Sequence, residues 1–229
     1  MAHFIWKGIN SKTKGIVVKK LPSHTKPTER IEKITIPGRS GFLIQSDGSY
    51  ECDPITIECG LKKDVDLYQV ANWLRGSGSL ILSDDETKYY DATIISSIPF
   101  EQIFKYWRNF IIQFDVQPFV KSVTKVVETL TALENEIIVD GTYDAIPIIT
   151  VNGSGNYTIT INNKTFTLNG VNTQIKVDSE MMNCTETNGT VNANSKMSGD
   201  FPILKSGVNN IDIVGTFTNV VIEYYDRWF

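Results

Sequence analysis

The segment RNFIIQFDVQPF, residues 108–119, constrains the fold more than any other stretch of the chain. Phe110, Ile112, Phe114 and Val116 alternate with Ile111, Gln113, Asp115 and Gln117, so a strand here carries one greasy face and one mostly polar face. One side must pack on a core; the other meets water or a neighbour. Pro118 then removes a ladder donor, and so ends the strand or marks it as an edge.

The rest of the first half is rich in β signals and contains one good helix. In DVDLYQVANWLRG, Leu67, Val70, Ala71 and Leu74 fall at i, i+3, i+4 and i+7, on one helical face. Asp64 or Asp66 can accept the orphan N–H groups at its start, Arg75 sits at its negative end, and Gly76 can take the left-handed position beyond it. A hairpin follows, with strands from Leu80 to Leu82 and from Lys88 onward, joined by turn chemistry over 83–87. Residues 121–136 read as a helix by their apolar spacing or as a β-rich connector by their Val and Thr content; the connector is the favoured reading, which sets the expected domains at 1–136 and 137–229.

From Ile137 the composition changes. Of the 17 asparagines, 13 lie after residue 150, among Thr, Gly and β-branched residues. Asn and Gly supply the positive-φ positions of tight hairpins, so this half is expected to be all-β. In YTITINNKTFTL, Tyr157, Ile159 and Ile161 alternate before an Asn162-Asn163-Lys164 turn, and Phe166 and Leu168 alternate after it. Further strands are expected at 174–177, 210–214 and 220–225. Short strands with such turns predict a β-sandwich or jelly roll. The fold class is therefore mainly β: an N-terminal β-sandwich-like domain with one α-helix and a β-hairpin, then a C-terminal sandwich.

A chain of 229 residues is long enough for each half to bury a core of its own. No apolar run approaches the length that crosses a bilayer. The start, MAHFIWKGINSKTKG, breaks at Lys7 and Gly8 before a signal-peptide core forms, so the chain is expected to stay where it is made. Residues 1–136 carry 17 Lys/Arg against 17 Asp/Glu, and residues 137–229 carry 5 against 9. Neither half has the clustered excess base of a nucleic-acid surface. Cys52, Cys59 and Cys184 are odd in number and read as free, buried thiols in a reducing compartment.

No residue set in the sequence announces chemistry. In ITIPGRSGFLI the glycines flank an arginine as a phosphate cradle would, but the spacing of neither nucleotide-binding motif is present and a strand follows. Gly38, Arg39 and Gly41 therefore read as a structural turn, with Pro37-Gly38 setting the corner. His3 and His24 lie far from any carboxylate or cysteine in sequence and read as exposed structural residues. Asp84-Asp85-Glu86 lacks the spacing of a calcium loop and reads as a solvated turn. No catalytic, metal or cofactor residues are assigned. The aromatics of the tail VVIEYYDRWF, Tyr224, Tyr225 and Trp228, are candidate carbohydrate contacts, because exposed rings stack on sugars; closing the sandwich core is the preferred role.

Taken in order, FIWKGINSKTKGIVVKKLP, ERIEKITIPGRSGFL, YECDPITIECGLK, WLRGSGSLILSDDETKYYDATI, FDVQPF, MSGDFPILKSGVNNIDI and YYDRW resemble the distal tail proteins of long-tailed bacteriophages, the phage tail component family, over nearly the whole length. The resemblance implies a non-enzymatic structural protein of a phage or prophage, made in the bacterial host cytoplasm and carried at the virion tail tip. It implies a homohexameric ring between the tail tube protein and the baseplate or fibre proteins, with DNA passing through the lumen and no membrane partner. It also implies a galectin-like C-terminal sandwich at the ring's periphery. A carbohydrate-binding module attaching the particle to host cell-wall glycan is the alternative.

Overall fold

The computed structural model describes residues 2–62, 64–104, 107–186 and 189–229. The chain divides into two compact units, Met1–Val120 together with Phe229, and Lys121–Trp228. Every named strand pair is antiparallel.

The first unit contains β1 (Phe4–Trp6), β2 (Ile9–Asn10), a 3₁₀ turn at Ser11–Lys14, β3 (Ile16–Lys20), β4 (Glu29–Ile34), β5 (Leu43–Tyr50), β6 (Pro54–Lys62), α1 (Leu67–Trp73), β7 (Gly76–Leu82), β8 (Asp85–Ile94), β9 (Glu101–Phe104) and β10 (Trp107–Val116). The strand order is β2-β1-β7-β8-β10-β6-β3, with β9 also on β10 and with β4 and β5 forming a separate two-stranded ribbon. As its alternation predicts, β10 buries Phe110, Ile112, Phe114 and Val116 and leaves Ile111 exposed. It pairs with β6 from Trp107↔Lys62 to Asp115↔Pro54. At its far end it pairs with β8 through Asp115↔Thr93 and Val116↔Ala92. Phe4 and Trp6 meet Phe114 edge-on, with ring centroids 5.9 and 5.2 Å away.

Helix α1 begins where Asp66 accepts from the backbone N–H groups of Tyr68 and Gln69, at 2.9 and 3.4 Å. Val70 and Leu74 are buried and Leu67 packs against the same core, whereas Ala71, the fourth residue of the predicted stripe, is exposed. A helix of two turns presents too narrow a face to bury all four. Gly76 adopts φ +72° and opens β7. On the outer side of β6, Trp107 lies so close over Gly60 that a Cβ there would come within 2.0 Å of its ring. The ring is held by its Nε1, which donates to Asn109 Oδ1 at 2.6 Å.

The second unit contains β11 (Val120–Ser122, straddling the boundary), β12 (Val126–Leu130), β13 (Glu134–Val139), β14 (Ile148–Gly153), β15 (Gly155–Ile161), β16 (Lys164–Val171), β17 (Gln174–Asp178), β18 (Asn183–Glu186), β19 (Val191–Asn192), a 3₁₀ turn at Asn194–Lys196, β20 (Met197–Ser198), β21 (Gly207–Val214), β22 (Phe217–Tyr224) and β23 (Arg227–Trp228). Two sheets, ordered β12-β22-β14-β17-β18-β19 and β13-β21-β15-β16-β20, bury one shared core that includes Ile149, Val151, Tyr157, Ile159, Phe166 and Ile222. This is the expected sandwich. Residues 121–136 are not a connector: β12 pairs with β22 and β13 with β21, so both belong to the second unit's sheets. Their Val and Thr content outweighed the ambiguous helical spacing.

Two buried polar side chains of this unit are well paired. Asn209 is fully buried; its Oδ1 accepts from Lys205 N and Asn162 Nδ2, while its Nδ2 donates to the carbonyls of Lys205 and Gly207. Tyr224 is also buried and donates to the Ile138 carbonyl at 3.1 Å.

Two substitutions test the first core. Phe114→Ala should lower its unfolding free energy by about 3–5 kcal/mol, and Gly60→Ala, which displaces Trp107, by about 1–3 kcal/mol, both read from urea denaturation. A third tests the second unit through pH. Burial, and then the charges of Asp226, Glu128 and Asp140, push the Tyr224 phenol up to about 12, against about 10 in an unfolded chain. Its contribution is therefore fully present below pH of about 10 and lost as pH rises through about 12. Cys184, raised by burial to about 11, adds a loss beginning at lower pH. Tyr224→Phe should flatten the upper part of this alkaline loss while costing about 1 kcal/mol at neutral pH. Thermal unfolding across alkaline pH measures both, and an unchanged slope would remove Tyr224 as the source.

Candidate functional site

The turn read from ITIPGRSGFLI lies at the end of a ribbon. Arg39 N donates to the Ile36 carbonyl at 3.2 Å, with Pro37 and Gly38 between them and Gly38 at φ +80°. Proline followed by a positive-φ glycine is the residue order of a type II turn. Gly41, at φ +87°, lets the chain return into β5. The backbone here serves to reverse direction, and it leads into a strand, not into the helix N-terminus of an anion cradle.

The ribbon carrying this turn is an arm. β4 and β5 pair only with each other, and eight residues of β5 at the usual rise extend about 25 Å. Lys33 faces Ile44 and Ile31 faces Ser46 on one side, while Ile34 faces Leu43 and Glu32 faces Gln45 on the other. Lys33 Nζ lies 5.1 Å from the centre of the Phe42 ring. Ile31, Ile34, Ile36, Phe42, Leu43 and Ile44 are all exposed, Ile44 to 62% and Phe42 to 53%. At the base, Glu51 N donates to the Thr28 carbonyl and Arg30 grips Glu51 through two nitrogens at 2.7 and 3.2 Å. That pairing raises the Arg30 pKa and lowers that of Glu51. Tyr50, Phe119 and Phe229 close the base as three mutually tilted rings. Sequence reading found the corner but not the arm, because exposed apolar residues in a β pattern look the same as a buried face.

The tail aromatics separate. Tyr224 is in the core, so its ring cannot stack on a sugar. Tyr225 is half-buried with Lys125 Nζ 5.8 Å from its ring centre, and Trp228 is half-buried on β23. The outward side of the six-stranded sheet carries an amide ladder instead: Gln174 donates to Asn152 at 2.8 Å, and Asn152 to Asn219 at 2.6 Å.

The residues capable of chemistry are held in structural pairings. Asp85 accepts from Thr87 and Lys88, which lowers its pKa to about 2 and makes 84–86 a turn-stabilising cluster. The same turn draws in both histidines: His24 Nε2 lies 2.6 Å from Asp84 and its Nδ1 3.2 Å from Tyr90 OH, and His3 lies 3.1 Å from Glu86. His3 is therefore mostly covered rather than exposed, through contacts that sequence separation concealed. Cys59 is buried and its thiol is pushed up to about 12, whereas Cys52 is exposed, contrary to the expectation of three buried thiols. Cys52 lies before β6 begins, outside the alternation that buries Cys59. Among the described residues no group of three or more His, Cys, Asp or Glu is placed to hold a metal ion. No helix among them is long and apolar enough to cross a membrane.

No protein-family model matches the sequence, and no curated protein matches it. The fold, however, has a solved counterpart. The crystal structure of the SPP1 Dit (gp 19.1) protein, described as a paradigm of the hub adsorption apparatus in phages that infect Gram-positive bacteria, is similar to this chain over 100% of both, with a TM-score of 0.82 at 13% identity. Each unit thus has a counterpart of the same fold in that protein.

Proposed function

We propose that the chain is a structural distal tail protein, the baseplate hub of a bacteriophage or prophage. Its copies close into a hexameric ring that joins the tail tube to the tail-tip or fibre proteins and encloses the DNA channel. The observation that carries this reading is the full-length match in fold to a hub protein, which spans both units and not only a common sandwich. The exposed apolar arm supports it, because such a surface in a monomer marks a protein contact. So does the charge balance of the first half, since a strongly basic lumen would hold DNA by its phosphates. In this reading the N-terminal domain forms the ring, the galectin-like domain lies at its edge, and no bond is made or broken.

A carbohydrate-binding role in host attachment is a second reading, and Tyr225 and Trp228 are the rings that carry it once Tyr224 is withdrawn. Light scattering and negative-stain imaging of the purified chain, alone and mixed with the tail tube protein, should show a six-subunit ring. Absence of a ring in both samples would overturn the hub reading, and a stable monomer that binds cell-wall glycan would establish the second.

A further inference from the structure

Strand β13 is an outer strand of the five-stranded sheet and, among the described strands, pairs only with β21. Two hydrogen bonds fix the phase of its backbone. The Ile213 N–H donates to the Leu133 carbonyl at 2.7 Å, on the β21 side, and the Tyr224 hydroxyl donates to the Ile138 carbonyl on the other. Backbone groups alternate sides along a strand, so Asn135, Ile137 and Val139 bond β21, while Glu134, Glu136 and Ile138 turn their N–H groups to the open edge. Among the described residues, nothing pairs with the N–H and C=O groups of Glu134 and Glu136 on that edge. The same three residues direct their side chains away from the core, and Ile138 is 59% exposed. The edge is also acidic. Glu134 stands directly opposite Asp212 on the outward face. Their pair is of the non-hydrogen-bonded kind, in which side chains approach most closely, and like charges so placed repel. Neither of them, nor Glu136, is in an ion pair among the described residues. A second copy offering this strand antiparallel and in full overlap would set Glu136 against Glu136, so the charge that guards the edge against self-pairing selects a cover of opposite sign.

We propose that the open edge of β13 takes up an extended basic segment of a partner protein as an additional antiparallel strand. The side chains opposite Glu134 and Glu136 are lysine or arginine, and the one opposite Ile138 is apolar. Main-chain hydrogen bonds to Glu134 and Glu136 supply the attachment, and the alternate side chains supply the selectivity, as in other cases of strand addition. The cations offset the repulsion between Glu134 and Asp212, and the apolar residue covers Ile138. Because the added strand runs antiparallel, the fitting segment reads apolar-x-basic-x-basic from its N-terminus. The inference goes beyond the hub reading and does not need the ring, since β13 belongs wholly to the second unit.

A fluorescently labelled, N-acetylated peptide TVTKTKT, titrated against the full chain by anisotropy at low salt, tests it. Saturable binding with a Kd below about 1 mM is expected. The acidic peptide TVTETET should bind about tenfold more weakly or worse. So should TVTKTKT N-methylated at its first lysine, which keeps both charges but loses the donor to the Glu136 carbonyl. The Glu134→Lys/Glu136→Lys variant should reverse the preference between the basic and acidic peptides. Glu136→Pro deletes an N–H that the β21 ladder does not use, so this variant should keep the wild-type thermal transition and lose the peptide. The proposal is overturned if the wild type shows no saturable binding, or if the charge-reversed variant keeps the wild-type preference. Equal binding of the N-methylated peptide would reduce the attraction to charge alone and overturn strand addition. Dimerisation of the wild type that Glu136→Pro abolishes would assign the edge to a second copy, and the basic segment would be overturned with it. None of these outcomes bears on the ring, which imaging decides separately.

Discussion

Strand β10 is the seam on which the first unit depends. It runs beside β6 for nine consecutive pairs, from Trp107 to Asp115, and then meets β8 at Asp115 and Val116. One strand thereby joins β3 and β6 to β8, β7 and β1. Its four inward residues must fill the space against α1 and the N-terminal strand, and Phe114 does so by meeting both Phe4 and Trp6. Because side chains alternate with period two, a register slip of one residue would put Asp115 and Gln113 into that space and Phe114 into water. The apolar row fixes the register, and the register fixes which residues remain on the outer side. Asn109 and Ile111 are outward because Phe110 and Ile112 are inward.

The arm obeys the opposite logic. Its strands alternate too, yet neither face is buried, and the two rings that meet Tyr50 secure only its root. A surface of this kind gains stability wherever a partner covers it. The tight Pro37-Gly38 corner limits the conformations open to the free tip, and pre-ordering of this sort reduces the entropy lost on docking.

Much of this was legible in the sequence, for a definite reason. β10, the helix with its Asp66 cap, the β7–β8 hairpin and the β15–β16 hairpin are local objects, in which periodicity and turn residues act over a dozen positions. The misreadings concern contacts distant in sequence. β12 and β13 looked like a connector because their partners, β22 and β21, lie about seventy to a hundred residues further on. The histidines looked solitary because Asp84 and Glu86 are sixty residues or more away. For Tyr224 the core role, preferred over sugar contact, is the one the structure shows: the alternation of Val220, Ile222 and Tyr224 into the core holds to the end of β22.

The chemistry of the side chains agrees with the structural role proposed. A nucleophile or a general acid needs a pKa tuned towards neutrality and an approach for substrate. Here burial drives Cys59 and Cys184 away from neutrality to about 12 and 11, and hydrogen bonds to Thr87 and Lys88 hold Asp85 at about 2. Every one of these shifts stabilises the form that the fold already uses. The buried amide of Asn209 is likewise spent on one turn, with its oxygen and its nitrogen each engaged twice. The apolar side chains of the arm, by contrast, stay exposed among the described residues, the kind of surface that a partner protein covers.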